Sequence, residues 1–326
     1  MTGDSLRDGY DALLLDLDGT LYRGGDAVPG AVDALGAGSQ RLLYVTNNAS
    51  RSPSAVADHL SELGFTATES DVVTSSQAAA HLLRDRLQPG DTVLVIGTDA
   101  LADEVAAVGL ATTRTAADHP SAVVQGHSPE TAWPILAEAA YAIHAGALWV
   151  AANTDTTLPT ERGLAPGNGA MVAALRAATG TEPLVAGKPA APLVEDALAR
   201  CGSRKSLVVG DRLDTDIAGA NEVGLDSLLV LTGVSTPDDL LRADPHQRPT
   251  YVALSLDVLN RDTDSSKDSG WQAEYDGTDI VLSGRGDAEA ALVAVSAVAW
   301  EHPSFGEVRG ADDAAENAIS QWNSGR

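Results

Sequence analysis

The chain has 326 residues and a formal net charge of −25, with 46 acidic against 21 basic side chains. That balance excludes nucleic acid and anionic membrane as partners, because phosphate backbones and lipid headgroups call for clustered Lys and Arg. A hydrophobic fraction of 44% and a charged fraction of 21% exclude overall disorder, and the length favours more than one core.

The start, Met1 to Asp11, is polar, and no later apolar run reaches bilayer length, so a cytoplasmic protein is expected. A single cysteine, Cys201, excludes an intrachain disulfide and a thiolate metal cage; it reads as a helix-end packing residue in a reducing compartment.

From the N-terminus, short apolar runs alternate with longer amphipathic stretches, the pattern of βαβ units and a parallel sheet. Strands are expected at 12–17, 42–45, 92–96, 147–152 and 207–209, and helices at 54–63, 75–86, 130–144, 169–179 and 192–200. Ligands of such sheets sit beyond the carboxyl ends of the strands. The residues that follow each strand are therefore the ones to read for chemistry.

The first strand ends in Asp16-Leu17-Asp18-Gly19-Thr20. A carboxylate there can attack phosphorus, and a second two residues on can protonate a leaving oxygen and then activate water. An acidic turn is the alternative; an EF-hand calcium loop is excluded by Leu21 and Ala27, where glycine and glutamate are required. The next strand runs into Thr46-Asn47-Asn48, whose hydroxyl and amides suit phosphoryl oxygens or, alternatively, cap a helix.

Gly187-Lys188-Pro189 follows the apolar 184–186. A Walker loop is excluded by Glu182 and Pro189, leaving a lysine between a strand-like run and a helix. The last strand leads into Gly210-Asp211-Arg212-Leu213-Asp214-Thr215-Asp216. Three carboxylates after a buried strand need a cation or hydrogen bonds, and Mg²⁺ suits an oxygen-only site.

Four strand ends in this order, DLDGT, VTNN, GKP and GDRLDTDI, resemble the haloacid dehalogenase superfamily of phosphatases. The resemblance covers roughly the first 260 residues. It implies Asp16 as nucleophile and Asp18 as acid/base, with Mg²⁺ held by Asp16, the Asp18 carbonyl and Asp211, and with Asp216 supporting these ligands from behind. Thr46, Asn47 and Asn48 would bind the phosphoryl group; Lys188 would neutralise it and position Asp16. Roughly 140 residues lie between the second and third motifs, too many for a loop. An insertion at that point resembles the α/β cap of the NagD-like, p-nitrophenyl-phosphatase-like branch.

The expected fold is α/β. It has a Rossmann-like parallel-sheet core from 1–80 and 186–260, an inserted cap from 81–185, a linker at 261–270 and a small α+β extension at 271–326. Near the loop of the cap, Thr157 and, within the stretch LPTERGLAPGNGA (158–170), Leu158, Glu161 and Arg162 are candidates for substrate choice. The same stretch and the fourth motif look closest to glycerol-3-phosphate and phosphoglycolate phosphatases. The expected partner is thus a small phosphorylated metabolite, with nucleoside monophosphates, pyridoxal phosphate and sugar phosphates as alternatives. A homo-oligomer through the cap or the extension is a further expectation, and a non-catalytic binding or scaffold protein is the rival of another class. The extension itself reads as a hairpin (271–275, turn Asp276-Gly277, 278–282) and a helix from Asp287 to Trp300. Its order resembles a truncated acetyltransferase unit, or else a docking module, with a packed core of its own.

Overall fold

The computed structural model describes residues 5–160, 162–261 and 270–322. The chain divides into two compact units: Met1–Leu43, Leu63–Phe65 and Cys201–Arg326 form the first, and Tyr44–Glu62 with Thr66–Arg200 the second.

In the first unit four parallel strands lie in the order Tyr251–Ala253, Asp226–Val230, Ser206–Gly210 and Ala12–Leu15. Every residue of Ala12–Leu15 and of Ser206–Gly210 is buried, which is why these strands read as unbroken apolar runs and not as alternation. The strand Arg41–Thr46 starts in this unit and passes into the second at Tyr44.

The C-terminal segment also belongs to the first unit. Trp271–Tyr275, Ile280–Gly284 and Val308–Gly310 form a three-stranded sheet covered by the helices Ala288–Glu301 and Asp313–Gln321. The expected hairpin is present, with its second strand starting two residues later than read from the sequence. The Asp276 carboxylate accepts the N–H groups of Thr278 and Asp279 (3.0 and 2.9 Å), lengthening the loop to residues 276–279. The segment does not bury a separate core. Trp271, Ile280, Leu292, Val295, Ala299 and Phe305 share one continuous apolar cluster with Leu213, Ile217, Leu240, Leu241 and Val252. Of the expected linker, residues 262–269 lie outside the described residues.

The second unit pairs the end of Arg41–Thr46 with Val72–Thr74. It also holds a five-stranded parallel sheet in the order Leu184–Val185, Leu148–Ala151, Ala122–Gln125, Thr92–Ile96 and Ala111–Thr113. The helices Trp133–His144 and Asn168–Thr179 close its core around Trp149, whose ring N–H donates to the Gln125 side chain. Trp133–His144 starts later than expected, with Pro134 in its first turn where the missing N–H does no harm. An antiparallel hairpin, Thr157–Thr160 with Gly163–Pro166, precedes Asn168–Thr179. No helix among the described residues is long and apolar enough to cross a membrane.

Candidate active site

In the first unit Asp16 comes directly after the strand Ala12–Leu15, its N–H donating to the Val209 carbonyl at 2.8 Å. The Leu17 carbonyl then accepts the N–H groups of Thr20, Leu21 and Tyr22 (3.2, 2.8 and 3.3 Å), folding the chain back at once. Gly19 is required there on two grounds. Its φ is +88°, and a Cβ would run into the Asp211 carboxylate.

Asp16, Asp211 and Asp216 each place a carboxylate oxygen within 4.8 Å of the others. Asp211 is 0% and Asp216 1% exposed. The sequence put Asp216 behind the ligands; the fold brings its carboxylate into the same group, and the cause is local. Leu213–Ile217 is a π-helical turn in which the N–H groups of Asp216 and Ile217 both reach the Arg212 carbonyl (3.0 and 3.2 Å). The Asp216 carboxylate in turn accepts the Arg212 N–H at 3.1 Å, and glycine at 210 leaves room for it. Asp214 takes no part in the group. Burial pushes its carboxyl up, but two hydrogen bonds from Arg212 (3.0 and 2.8 Å) outweigh this and hold it below the usual carboxylate range. Asp18 is exposed as a residue, yet the surrounding protein desolvates its carboxyl enough to push it up.

Three carboxylates this close, two of them buried, repel one another unless a cation joins them. An all-oxygen donor set with few protein ligands fits Mg²⁺, which completes its sphere with water and phosphate oxygen. Sequence reasoning missed the segment that encloses Asp211 from the other side. Val234 donates its N–H to the Asp211 carboxylate at 2.5 Å, and the Thr232 hydroxyl donates to the Gly19 carbonyl at 2.7 Å. Thr-Gly-Val-Ser-Thr at 232–236 carries no charged group, so nothing in its residue types signalled this.

In the second unit the loop after Arg41–Thr46 meets the Lys188 turn. The Asn47 side chain accepts the Lys188 N–H (2.8 Å) and donates to the Lys188 carbonyl (3.0 Å) and to Asp155 (3.2 Å). Both of its amide hydrogens are thus on protein acceptors. The Asn47 carbonyl accepts from Ser75 (2.6 Å) and Asn153 (2.7 Å), and Asn168 braces Asn153 in turn (2.7 Å). A Cβ at Gly187 would sit 2.6 Å from both the Ala152 carbonyl and the Asn47 side-chain oxygen, which explains the glycine before the lysine. Lys188 is 3% exposed and donates from Nζ to the Val45 carbonyl at 3.0 Å. Thr46 is buried and its hydroxyl accepts the Asn48 N–H; the Asn48 side chain accepts the N–H groups of Ser50 and Arg51, a local turn.

The cap candidates lie on the hairpin. Thr157, Leu158 and Arg162 are exposed, as is Leu164 opposite them, and Glu161 lies outside the described residues.

Residues 13–111 match the haloacid dehalogenase-like hydrolase family, 185–259 a HAD-hydrolase-like family, and 268–323 a GCN5-related N-acetyltransferase like domain. D-glycerol 3-phosphate phosphatase of Mycobacterium tuberculosis is 51% identical over 337 aligned positions, covering 98% of this chain and 96% of that protein. The acid sugar phosphatase of Staphylococcus aureus is 37% identical over 252 positions, 76% of this chain and 95% of its own length. The crystal structure of a glycerol phosphate phosphatase from M. tuberculosis in complex with magnesium superimposes with a TM-score of 0.94 at 52% identity, covering 98% of this chain and 99% of that one. With more than nine-tenths of both chains matched at 51% identity, the chain belongs to the haloacid dehalogenase-like hydrolases.

Proposed function

We propose that the protein is a Mg²⁺-dependent phosphatase that hydrolyses a small phosphate monoester, glycerol 3-phosphate foremost, through an aspartyl-phosphate on Asp16. The observation that carries this reading is the convergence of Asp16, Asp211 and Asp216 at two adjacent strand ends. The likeness to the M. tuberculosis phosphatase supports the choice of substrate.

Asp16, Asp211 and Asp216 would hold the cation together with the Asp18 carbonyl. When bound, Mg²⁺ supplies charge stabilisation to the transferring phosphoryl group. One Asp16 oxygen attacks phosphorus as the ester oxygen departs, and the Asp18 carboxyl gives that oxygen its proton. A carboxyl pushed up by desolvation is suited to hold the proton until then. Asp18, now ionised, takes a proton from water; the resulting hydroxide displaces Asp16 and inorganic phosphate leaves. Lys188 offsets phosphoryl charge, Thr46 and Asn48 donate to phosphoryl oxygens, and Asn47 orients Lys188 by its paired hydrogen bonds. Leu158, Glu161 and Arg162 select the alcohol portion of the substrate.

Release of inorganic phosphate from D-glycerol 3-phosphate, with Mg²⁺ and no acceptor, tests the reading. Phosphate that appears only after a second sugar phosphate is added would make the protein a transferase. The 37% identity to an acid sugar phosphatase favours one second reading, sugar phosphates as substrates. A kcat/KM ranking across phosphorylated metabolites separates the two.

A further inference from the structure

Residues 232–236 wrap Asp211 from its main chain to its carboxylate. Ser235 donates its N–H to the Asp211 carbonyl (3.1 Å) and accepts the Leu213 N–H on its hydroxyl (3.0 Å), while Val234 donates to the carboxylate. Thr232 is tied to the other acidic turn through Gly19, and its own carbonyl accepts from Arg23 at 2.6 Å. A Cβ at Gly233 would overlap the Asp211 carboxylate, so the segment lies as close to it as a main chain can.

This strap continues directly into the helix Pro237–Leu241, capped by Thr236. The C-terminal segment grips that helix. The Trp300 ring N–H donates to the Leu240 carbonyl (2.9 Å), and the Arg242 guanidinium lies 4.5 Å from the centre of the Phe305 ring and donates to the Gly306 carbonyl (3.2 Å). Leu240 and Leu241 pack in one cluster with Leu292, Val295 and Ala299, and the same cluster takes in Leu213 and Ile217 from the turn that carries Asp216. The N-terminus of Ala288–Glu301 in the C-terminal segment is capped by Asp287, which accepts the Ala290 N–H at 2.7 Å.

We propose that residues 232–236 are a positioning strap that fixes the Asp211 carboxylate for Mg²⁺, and that the C-terminal segment holds the strap in place through Trp300, Phe305 and Arg242. The inference rests on the reading of Asp16, Asp211 and Asp216 as the Mg²⁺ site. Donors that orient a ligating carboxylate tune its metal affinity.

Calorimetric titration of the full chain with Mg²⁺ alone, paired with thermal melts, tests it. Ser235→Ala should weaken Mg²⁺ binding about tenfold. Trp300→Phe, which removes the bond to Leu240 and trims the ring that the Arg248 guanidinium overlies at 5.3 Å, should weaken it about threefold, and Arg242→Gln should move in the same direction. Trp149→Phe, which removes a comparable ring N–H bond, the one to Gln125 in the core of the second unit, should leave Mg²⁺ affinity unchanged at a similar loss of Tm. Unchanged affinity in Ser235→Ala and Trp300→Phe, or weakening that merely follows Tm in all the variants, overturns the strap. Binding by Asp211→Asn equal to that of the native chain overturns the metal reading on which it rests.

Discussion

The acidic strand ends of the first unit and the cap hairpin of the second are built on opposite terms. Asp211 and Asp216 are enclosed, each carboxylate held by a main-chain N–H, with Gly19 and Gly233 against the one and Gly210 against the other. The hairpin Thr157–Thr160 with Gly163–Pro166 is exposed along nearly its whole length, with Leu158 and Leu164 turned to solvent. On the proposed reading, chemistry that depends on placing groups to fractions of an ångström would sit on the buried strand ends, and discrimination between substrates where residues can change without disturbing a core.

Asp16→Asn breaks this contrast most severely. An amide cannot attack phosphorus, so turnover should fall at least about a thousandfold with the melting temperature nearly unchanged. Residual turnover within a few-fold of the native protein would remove Asp16 as nucleophile. Chelation by EDTA should also abolish phosphate release, with recovery on adding Mg²⁺. Ca²⁺ should compete without supporting turnover, because its larger and looser sphere disturbs in-line geometry. Full activity in EDTA would disconnect the carboxylate cluster from catalysis.

Asn47→Ala should have an intermediate effect that falls on both rate and stability. It leaves the Lys188 N–H and carbonyl and the Asp155 carboxylate each one hydrogen bond short, and each such lost bond typically destabilises by about 0.5–1.5 kcal/mol. We expect kcat to fall about tenfold or more, with a lower Tm; a rate unchanged to within twofold would separate Asn47 from the positioning of Lys188. Leu158→Ala and Arg162→Ala should be mildest, shifting KM a few-fold and reordering substrates with Tm and Mg²⁺ affinity intact. A loss of kcat there as large as for Asn47→Ala would show that the hairpin is part of the rigid machinery after all.

How far the site was legible follows from where each residue lies. Asp16, Asp211 and Lys188 could be read because each stands within a few residues of an apolar run, and for Asp16 and Asp211 a parallel sheet delivers its strand ends to one edge. The residue type of Asn47 suits a phosphoryl ligand, while the partners its side chain has in the fold lie 108 and 141 residues away in sequence. No local pattern could have named them. Asp214 and Asp216 look alike in sequence; the π turn sends one into the cluster and leaves the other paired with Arg212.

The sequence by itself determined the class of fold, the order of the four motifs, the expectation of a divalent cation and the presence of a hairpin and helix after residue 270. These are properties of short segments: hydrophobic period, turn residues, and acid or lysine next to a strand. Tertiary structure alone decided that the C-terminal segment shares its core with Leu213, Leu240 and Val252, and that an uncharged stretch at 232–236 encloses Asp211. An apolar helix face is the same string of residues whichever surface covers it, and a main-chain N–H has no letter in the sequence. Which core closes over the one, and which carboxylate meets the other, is fixed only when distant segments pack.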